Sequence, residues 1–213
     1  MRRPHFIASQ AANARGIIGR IIAAIMARET CADNLRAVDA LNIANNDRVI
    51  DIGCGPGPML GVMAKRAPLA KIVGIDPSRL MVHIAARRNA HSVKSGQVRV
   101  IEGGVPKLAF EDDHFDKALC AHVLYFWENL DEGLLETARV LKPGGQLVLL
   151  FRSSADPQTG SFPKEIYTFY SEDEIKSSLA RAGMQVISTS SSLSSSNKSD
   201  PIVMVSQKPR PVS

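Results

Sequence analysis

Apolar residues follow two different rhythms along this chain. Dense aliphatic runs stand at Val49–Ile52 (V-I-D-I), Lys71–Asp76 (K-I-V-G-I-D), Gln97–Ile101 (Q-V-R-V-I), Phe115–Ala121 (F-D-K-A-L-C-A) and Gln146–Phe151. They are too rich in Val, Ile and Leu for half-solvated strands, so they predict strands buried on both faces of a parallel sheet. Between them the spacing becomes helical. Met59, Leu60, Val62 and Met63 make a short buried helix ended by Pro68, and Leu80, Met81 and Ile84 face inward on a helix over Arg79–Asn89. Leu134, Leu135, Ala138 and Leu141 stripe a helix over Asp131–Leu141, ended by Lys142-Pro143-Gly144-Gly145. Ser171-x-x-Glu174 is a capping box opening a helix with Ile175 and Leu179 inward and Gly183 beyond its end. Met184–Thr189 and Ile202–Ser206 then read as two strands with no helix between them. A connection as short and polar as Ser190–Asp200 implies an antiparallel pair with a flexible tip. The predicted fold is α/β: a doubly wound, seven-stranded, mostly parallel sheet closed by an antiparallel C-terminal hairpin.

Ahead of the first strand, residues 1–44 read as a helical arm, leaving residues 45–213 as the sheet domain. Ile17, Ile18, Ile21, Ile22, Ile25 and Met26 recur at one helical stripe, with Gly16 and Gly19 weakening the helix's beginning. Asp33 or Asn34 is placed to cap a second helix striped by Leu35, Val38 and Leu41. Asn45-Asn46-Asp47 then turns the chain into the first strand. Such an arm can close over a ligand, its arginines meeting a carboxylate or phosphate, or simply pack with a solvated basic face. The sparse charge of its polar face speaks against a membrane-surface helix.

Composition narrows this picture. At 213 residues and 45% hydrophobic content the chain builds one α/β domain, which must bind both cofactor and substrate. The net charge of +5 is concentrated in residues 1–30, which hold five arginines against Glu29, whereas residues 111–136 are acidic. A nucleic-acid binder would spread its cations over a broad face, so no nucleic-acid partner is expected. No apolar run is long enough for stable membrane insertion, and the first ten residues lack a secretory core, which predicts a cytoplasmic protein. Cys31, Cys54 and Cys120 are widely spaced and read as free thiols. Asp112 and Asp113 lie in a polar loop without a partner, and no cluster suggests a metal site.

The candidate chemistry begins at Val49–Gly57, V-I-D-I-G-C-G-P-G. Gly53, Gly55 and Gly57 allow a sharp bend and let a ligand approach the main chain, and Pro58 suits the first helical position. Asp76 follows nineteen residues past Gly57, at the tip of the second strand, where an acid accepts hydrogen bonds from ribose hydroxyls. Asp76 can equally start a turn with Pro77 and cap the next helix. Glycine turn plus distal acid serves both nicotinamide and adenosyl cofactors. Pro58 breaks the G-x-G-x-x-G spacing and no substrate domain follows, which weighs against an NAD(P)-dependent oxidoreductase. A non-catalytic, membrane-peripheral or partner-binding role for the basic arm is the remaining alternative.

Five features together resemble the class I S-adenosylmethionine-dependent methyltransferases: D-I-G-C-G-P-G at 51–57, Asp76, F-D-K-A-L at 115–119, L-K-P-G-G at 141–145 and the closing hairpin. The similarity is greatest to the small-molecule branch of the ubiquinone and menaquinone C-methyltransferases, from about residue 45 onward. V-L-Y-F-W at 123–127 is similar to a group of bacterial members. The resemblance implies S-adenosylmethionine as cofactor and a small, hydrophobic or aromatic methyl acceptor reacting at O, N or C. It also implies cofactor contacts from the turn (Asp51, Gly53, Cys54, Gly55 and Gly57), ribose binding by Asp76, and adenine flanked by Pro77 and Met81. Many relatives carry an acid after the third strand that binds the adenine amino group. Here Gly103, Gly104 and Val105 match that stretch, so the contact passes to the backbone at Gly104 and Val105 or to another side chain. The Ala121 carbonyl would accept from the cofactor's amino group. The [DN]-P-P-[FY] signature of amino-methylating nucleic-acid enzymes is replaced by Ala121-His122-Val123-Leu124.

His122 and Tyr125 fall at the carboxyl edge of the fourth strand, where ligands bind in open α/β sheets. His122 can act as a base toward a phenol, an amine or an activated carbon acid, or be a structural residue. Tyr125 can orient the acceptor, though both it and Trp127 can equally pack beneath a lid. His5 can reach the site if the arm folds over it. Cys54 needs only to be small.

Overall fold

The computed structural model describes residues 5–12, 14–190 and 200–211, except the side chains of residues 5, 11 and 12. The expected contact of His5, and most of the expected hairpin tip at Ser190–Asp200, lie outside the described residues.

The sheet has seven strands: β1 (Arg48–Ile52), β2 (Lys71–Asp76), β3 (Val98–Glu102), β4 (Phe115–Ala121), β5 (Leu141–Phe151), β6 (Gln185–Ser190) and β7 (Ile202–Gln207). Their order is β3-β2-β1-β4-β5-β7-β6, parallel through β5, with β7 antiparallel to both β5 and β6. The doubly wound prediction therefore holds, and the closing strand lies inside the sheet rather than at its edge. Between β1 and β4 the winding reverses, which opens a crevice beyond the carboxyl ends of those two strands.

Alternate residues of the central strands feed two cores. Ile50, Ile52, Ala118, Leu147 and Leu149 pack with α7 (Leu130–Val140) and α8 (Glu172–Arg181). Val49, Leu119, Val148 and Leu150 pack on the other face with α3 (Cys31–Leu41) and α4 (Pro58–Arg66). Each fully buried side chain of this size contributes roughly 1.5–3 kcal/mol, which is why these runs lack the polar alternation of a one-sided sheet. The remaining helices are α1 (His5–Ala12), α2 (Gly16–Glu29), α5 (Arg79–Arg88) and the short α6 (Ala90–Lys94).

Several boundaries differ from the sequence reading. The arm holds two helices, α1 and α2, before α3. Cys31 rather than Asp33 or Asn34 opens α3, because only Thr30 separates it from α2: the Thr30 amide closes α2 on Met26, and the Thr30 carbonyl accepts from Asn34. Lys142-Pro143-Gly144-Gly145 is the irregular start of β5 instead of a loop. Leu141 already pairs with Phe115, the register slips before Lys117 meets Gln146, and Gly144 and Gly145 exchange backbone hydrogen bonds with Lys208.

The capping box of α8 is formed in full: Ser171 Oγ accepts from the Glu174 amide, and the Glu174 carboxylate accepts from the Ser171 amide at 2.7 Å. Ser171→Ala should cost about 1 kcal/mol, read as a lower urea midpoint at unchanged slope.

Candidate functional site

A cavity of about 650 Å³ occupies the crevice. Its floor is the turn after β1. The Gly53 and Cys54 amides both donate to the Ile75 carbonyl, at 2.7 and 3.0 Å, tying the turn to the end of β2. At Gly53 (φ +75°) a Cβ would stand 2.3 Å from Val123 Cγ1, so this glycine lets the β4 loop close on the turn. Gly55 (φ +52°) has nothing within 4 Å of an added Cβ and lines the cavity, which makes it the place where a ligand can lie against bare backbone.

Two buried carboxylates flank this turn. Asp76 uses one oxygen to accept from the Gly55 amide and the other from the Ser78 amide, each at 2.9 Å. Helix α5 is capped by Ser78, whose Oγ lies 3.4 Å from the Met81 amide and donates to the Ala14 carbonyl at 2.7 Å. Asp76 thus joins the glycine turn to the start of α5, and Ser78 joins that start to the arm. Burial raises the Asp76 pKa, and the two amides pull it back. Asp51 has no hydrogen-bond donor among the described residues, and burial, followed by the charge of Asp76, pushes its pKa up to about 7. Burial also raises the Cys54 and Cys120 thiols well above their usual range, aided by Asp51, so neither is an activated thiolate.

Of the candidates read from the sequence, Asp51, Gly53, Cys54, Gly55, Asp76, Pro77, Met81, Gly104, Val105, Ala121 and His122 line this one cavity. Gly57 and Tyr125 do not. A Cβ on Gly57 would meet Ala85 Cβ at 2.7 Å, so its missing side chain admits α5, and its carbonyl accepts from Asn89 Nδ2. Tyr125 is buried against Phe126, Tyr167 and Phe169 and meets the cavity through its neighbours His122 and Phe126.

His122 adopts a left-handed backbone (φ +57°) as the chain leaves β4, held by the hydrogen bond its amide donates to the Leu150 carbonyl. Its Nδ1 lies 3.3 Å from the Tyr125 hydroxyl, which accepts from the Arg152 amide. The ring's Nε2 is shielded from water and has no partner among the described residues. Burial, then the charge of Arg152, pushes the His122 pKa down to about 4, so the imidazole is neutral at pH 7. Burial raises the Tyr125 phenol well above its ordinary value, so it stays protonated.

The sequence reading missed part of the lining. Ala23, Met26 and Ala27 of α2, Thr30 at its C-terminal cap, Asn34 of α3, Glu102, and Phe126 with Trp127 add to the walls. The signal in α2 was its small residues and methionine at i, i+3, i+4 and i+7; the isoleucines drew attention to the wrong arc. Asn34 Oδ1, like His122 Nε2, is buried without a partner among the described residues.

These residues fit an adenosyl cofactor: a carboxylate beside an open glycine turn, a second buried carboxylate with no donor among the described residues, and room for a ligand larger than a nucleoside. Comparison with known proteins agrees. Residues 50–149 match the family described as "Methyltransferase domain". An uncharacterised methyltransferase of Bacillus subtilis, YdaC, is 31% identical over 146 residues, covering 67% of this chain and 78% of that protein. The ubiquinone/menaquinone biosynthesis C-methyltransferase UbiE of Geotalea daltonii is 34% identical over 135 residues, 63% of this chain, and the match spans only 56% of that protein's length. In fold, the methyltransferase chain solved with the Haloferax volcanii Trm112 activator superposes with a TM-score of 0.76 at 19% identity, over 96% of this chain and 98% of that one. Between the two cofactors that a glycine turn and a distal acid allow, the family decides for the adenosyl one: the chain belongs to the S-adenosylmethionine-dependent methyltransferases.

Proposed function

We propose that this enzyme methylates a small, hydrophobic or aromatic acceptor at O, N or C by in-line displacement within the cavity above. The observation that carries this reading is the continuity of the cavity. Asp51, Asp76 and the bare glycine turn line the same space as the apolar side chains of Met26, Phe126 and Trp127. When bound, S-adenosylmethionine supplies an electrophilic methyl group on a good, neutral leaving group. Asp76 and the turn at Gly53, Cys54 and Gly55 would hold its ribose and methionine portions, and Asp51 its cationic end. Pro77 and Met81 would flank the adenine, whose amino group would meet the backbone of Gly104 and Val105 or the Glu102 carboxylate. The Ala121 carbonyl would accept from the α-amino group. The protein's part is then to align the acceptor, exclude water and accept a proton.

His122 receives that proton in this proposal, with Tyr125 as a positioning residue. When Nδ1 carries the ring proton and donates it to the Tyr125 oxygen, Nε2 is left as an acceptor. A pKa near 4 makes His122 too weak to ionise a phenol, whose pKa is near 10, in advance. Proton removal therefore accompanies or follows methyl transfer, when the acceptor's proton has become strongly acidic. In this proposal residues 1–44 act as a lid over residues 45–213, a role that α2 supports by forming one wall, and the protein works in the cytoplasm. Among the described residues no helix is long and apolar enough to cross a membrane.

Labelled methyl incorporation over a panel of phenols, amines, indoles and quinol precursors tests the reading, and transfer to none of them under saturating cofactor would reject it. His122→Gln should lower kcat roughly 10²-fold while S-adenosylhomocysteine affinity stays within about twofold of wild type; parallel loss of both would reassign His122 to cofactor holding. With the cofactor saturating, kcat should be flat from pH 5.5 to 8.5, and an inflection near 6.5 would contradict the buried, neutral ring.

A further inference from the structure

Helix α2 is apolar almost all the way round, yet only part of its surface is covered. Gly19 and Ile22 are buried, and Ala23, Met26 and Ala27 line the cavity. The opposite arc carries Ile17, Ile18, Ile21 and Ile25, exposed to 77%, 52%, 55% and 52%, and the neighbouring α1 leaves Phe6 and Ile7 at 52% and 38%. A helix apolar on every side is normally buried, and clustered exposed hydrophobes of this size mark an interaction surface. The sparsely charged polar face speaks against a membrane-surface helix as long as the isoleucines are expected to form the buried stripe; with them exposed that expectation reverses, and charge identifies the partner. Exposed Arg15, Arg20 and Arg28 surround the isoleucines with Glu29 as the one acid of the helix, and none of the three arginines is in an ion pair among the described residues. A second copy of the chain would bring those cations against themselves. An anionic bilayer surface takes isoleucine side chains into its acyl boundary and arginines among its headgroups.

We propose that α2 lies in the plane of an anionic phospholipid surface, with Ile17, Ile18, Ile21 and Ile25 embedded and Arg15, Arg20 and Arg28 at headgroup level. The same helix walls the cavity with its other face, so docking brings that wall to the lipid and lets an apolar acceptor pass from the bilayer to the site. The surface does not depend on which acceptor is methylated.

Sedimentation of the full chain with vesicles of phosphatidylcholine alone, or mixed with phosphatidylglycerol, tests the proposal. Binding to the mixed vesicles should be at least tenfold tighter and should weaken as salt is added. Ile21→Glu with Ile25→Glu should reduce it at least tenfold with S-adenosylhomocysteine affinity unchanged, since neither side chain lines the cavity. If that pair fails to fold, Arg20→Gln with Arg28→Gln keeps the test open, because it should remove the preference for phosphatidylglycerol without touching the apolar face. Absence of binding, or equal binding to both vesicles, would overturn the proposal. So would a dimer in light scattering that the isoleucine changes dissolve, which would assign the face to a second copy.

Discussion

Asp76→Ala is expected to weaken S-adenosylhomocysteine binding by roughly 10³-fold, about 4 kcal/mol, and to leave the fold in place. Two contributions add. A buried, ionised carboxylate accepting from both ribose hydroxyls makes two charged hydrogen bonds, each worth about 1.5–3 kcal/mol. The same two oxygens hold the Gly55 and Ser78 amides in the unliganded protein, so alanine also frees the turn that must lie against the ligand. Stability should change much less, because alanine also removes a carboxylate whose raised pKa records a desolvation cost. Asp76→Asn should rescue little: its Nδ2 would face one of the two amide donors. Titration calorimetry with a parallel thermal melt separates the effects. Affinity within threefold of wild type, in a variant that melts normally, would remove Asp76 from the cofactor site.

Asp76 was legible in the sequence because its position follows from topology alone: strand, glycine turn, helix, strand. The buried strands and the capping box were legible for similar reasons, each being a local pattern with one physical solution. What failed was any question of what faces what. Gly53, Gly55 and Gly57 look alike in the sequence, yet the space they leave is taken by Val123, open to the cavity and taken by Ala85 respectively. In the arm, periodicity correctly found a helix, but α2 is apolar on two arcs and the one with small side chains faces the cavity, leaving four of the five isoleucines outside. Tyr125 was placed correctly at the edge of the sheet, but its ring turned into the aromatic cluster. Asn34 and Glu102 carry no motif and enter the site because α3 begins and β3 ends there.

Asp51 gives the second large effect. With its pKa near 7 in the unliganded protein, a cationic cofactor must meet the ionised form, so binding releases a proton below pH 7. Affinity should therefore rise about tenfold per pH unit from 5 to 7 and level off above, roughly 10² overall or about 3 kcal/mol. Asp51→Asn should bind weakly at pH 8 and show no such slope. A slope unchanged in the variant would place the titrating group elsewhere. The unliganded protein supplies an independent reading with the opposite ligand dependence. Asp51 has a raised folded pKa, so the stability it contributes when protonated is lost as pH rises from 3.8 through 7. His122 has a depressed one, so its contribution is present above 6.5 and lost as pH falls toward 4. Between pH 4 and 6.5 the two slopes, each about 1.4 kcal/mol per unit, nearly cancel, and the wild-type contribution of this pair should be flat there. Asp51→Asn removes one of them. The variant should be more stable than wild type at pH 8 and should lose stability steadily below pH 6.5, where His122 is forced to accept a proton within a site built to keep it neutral.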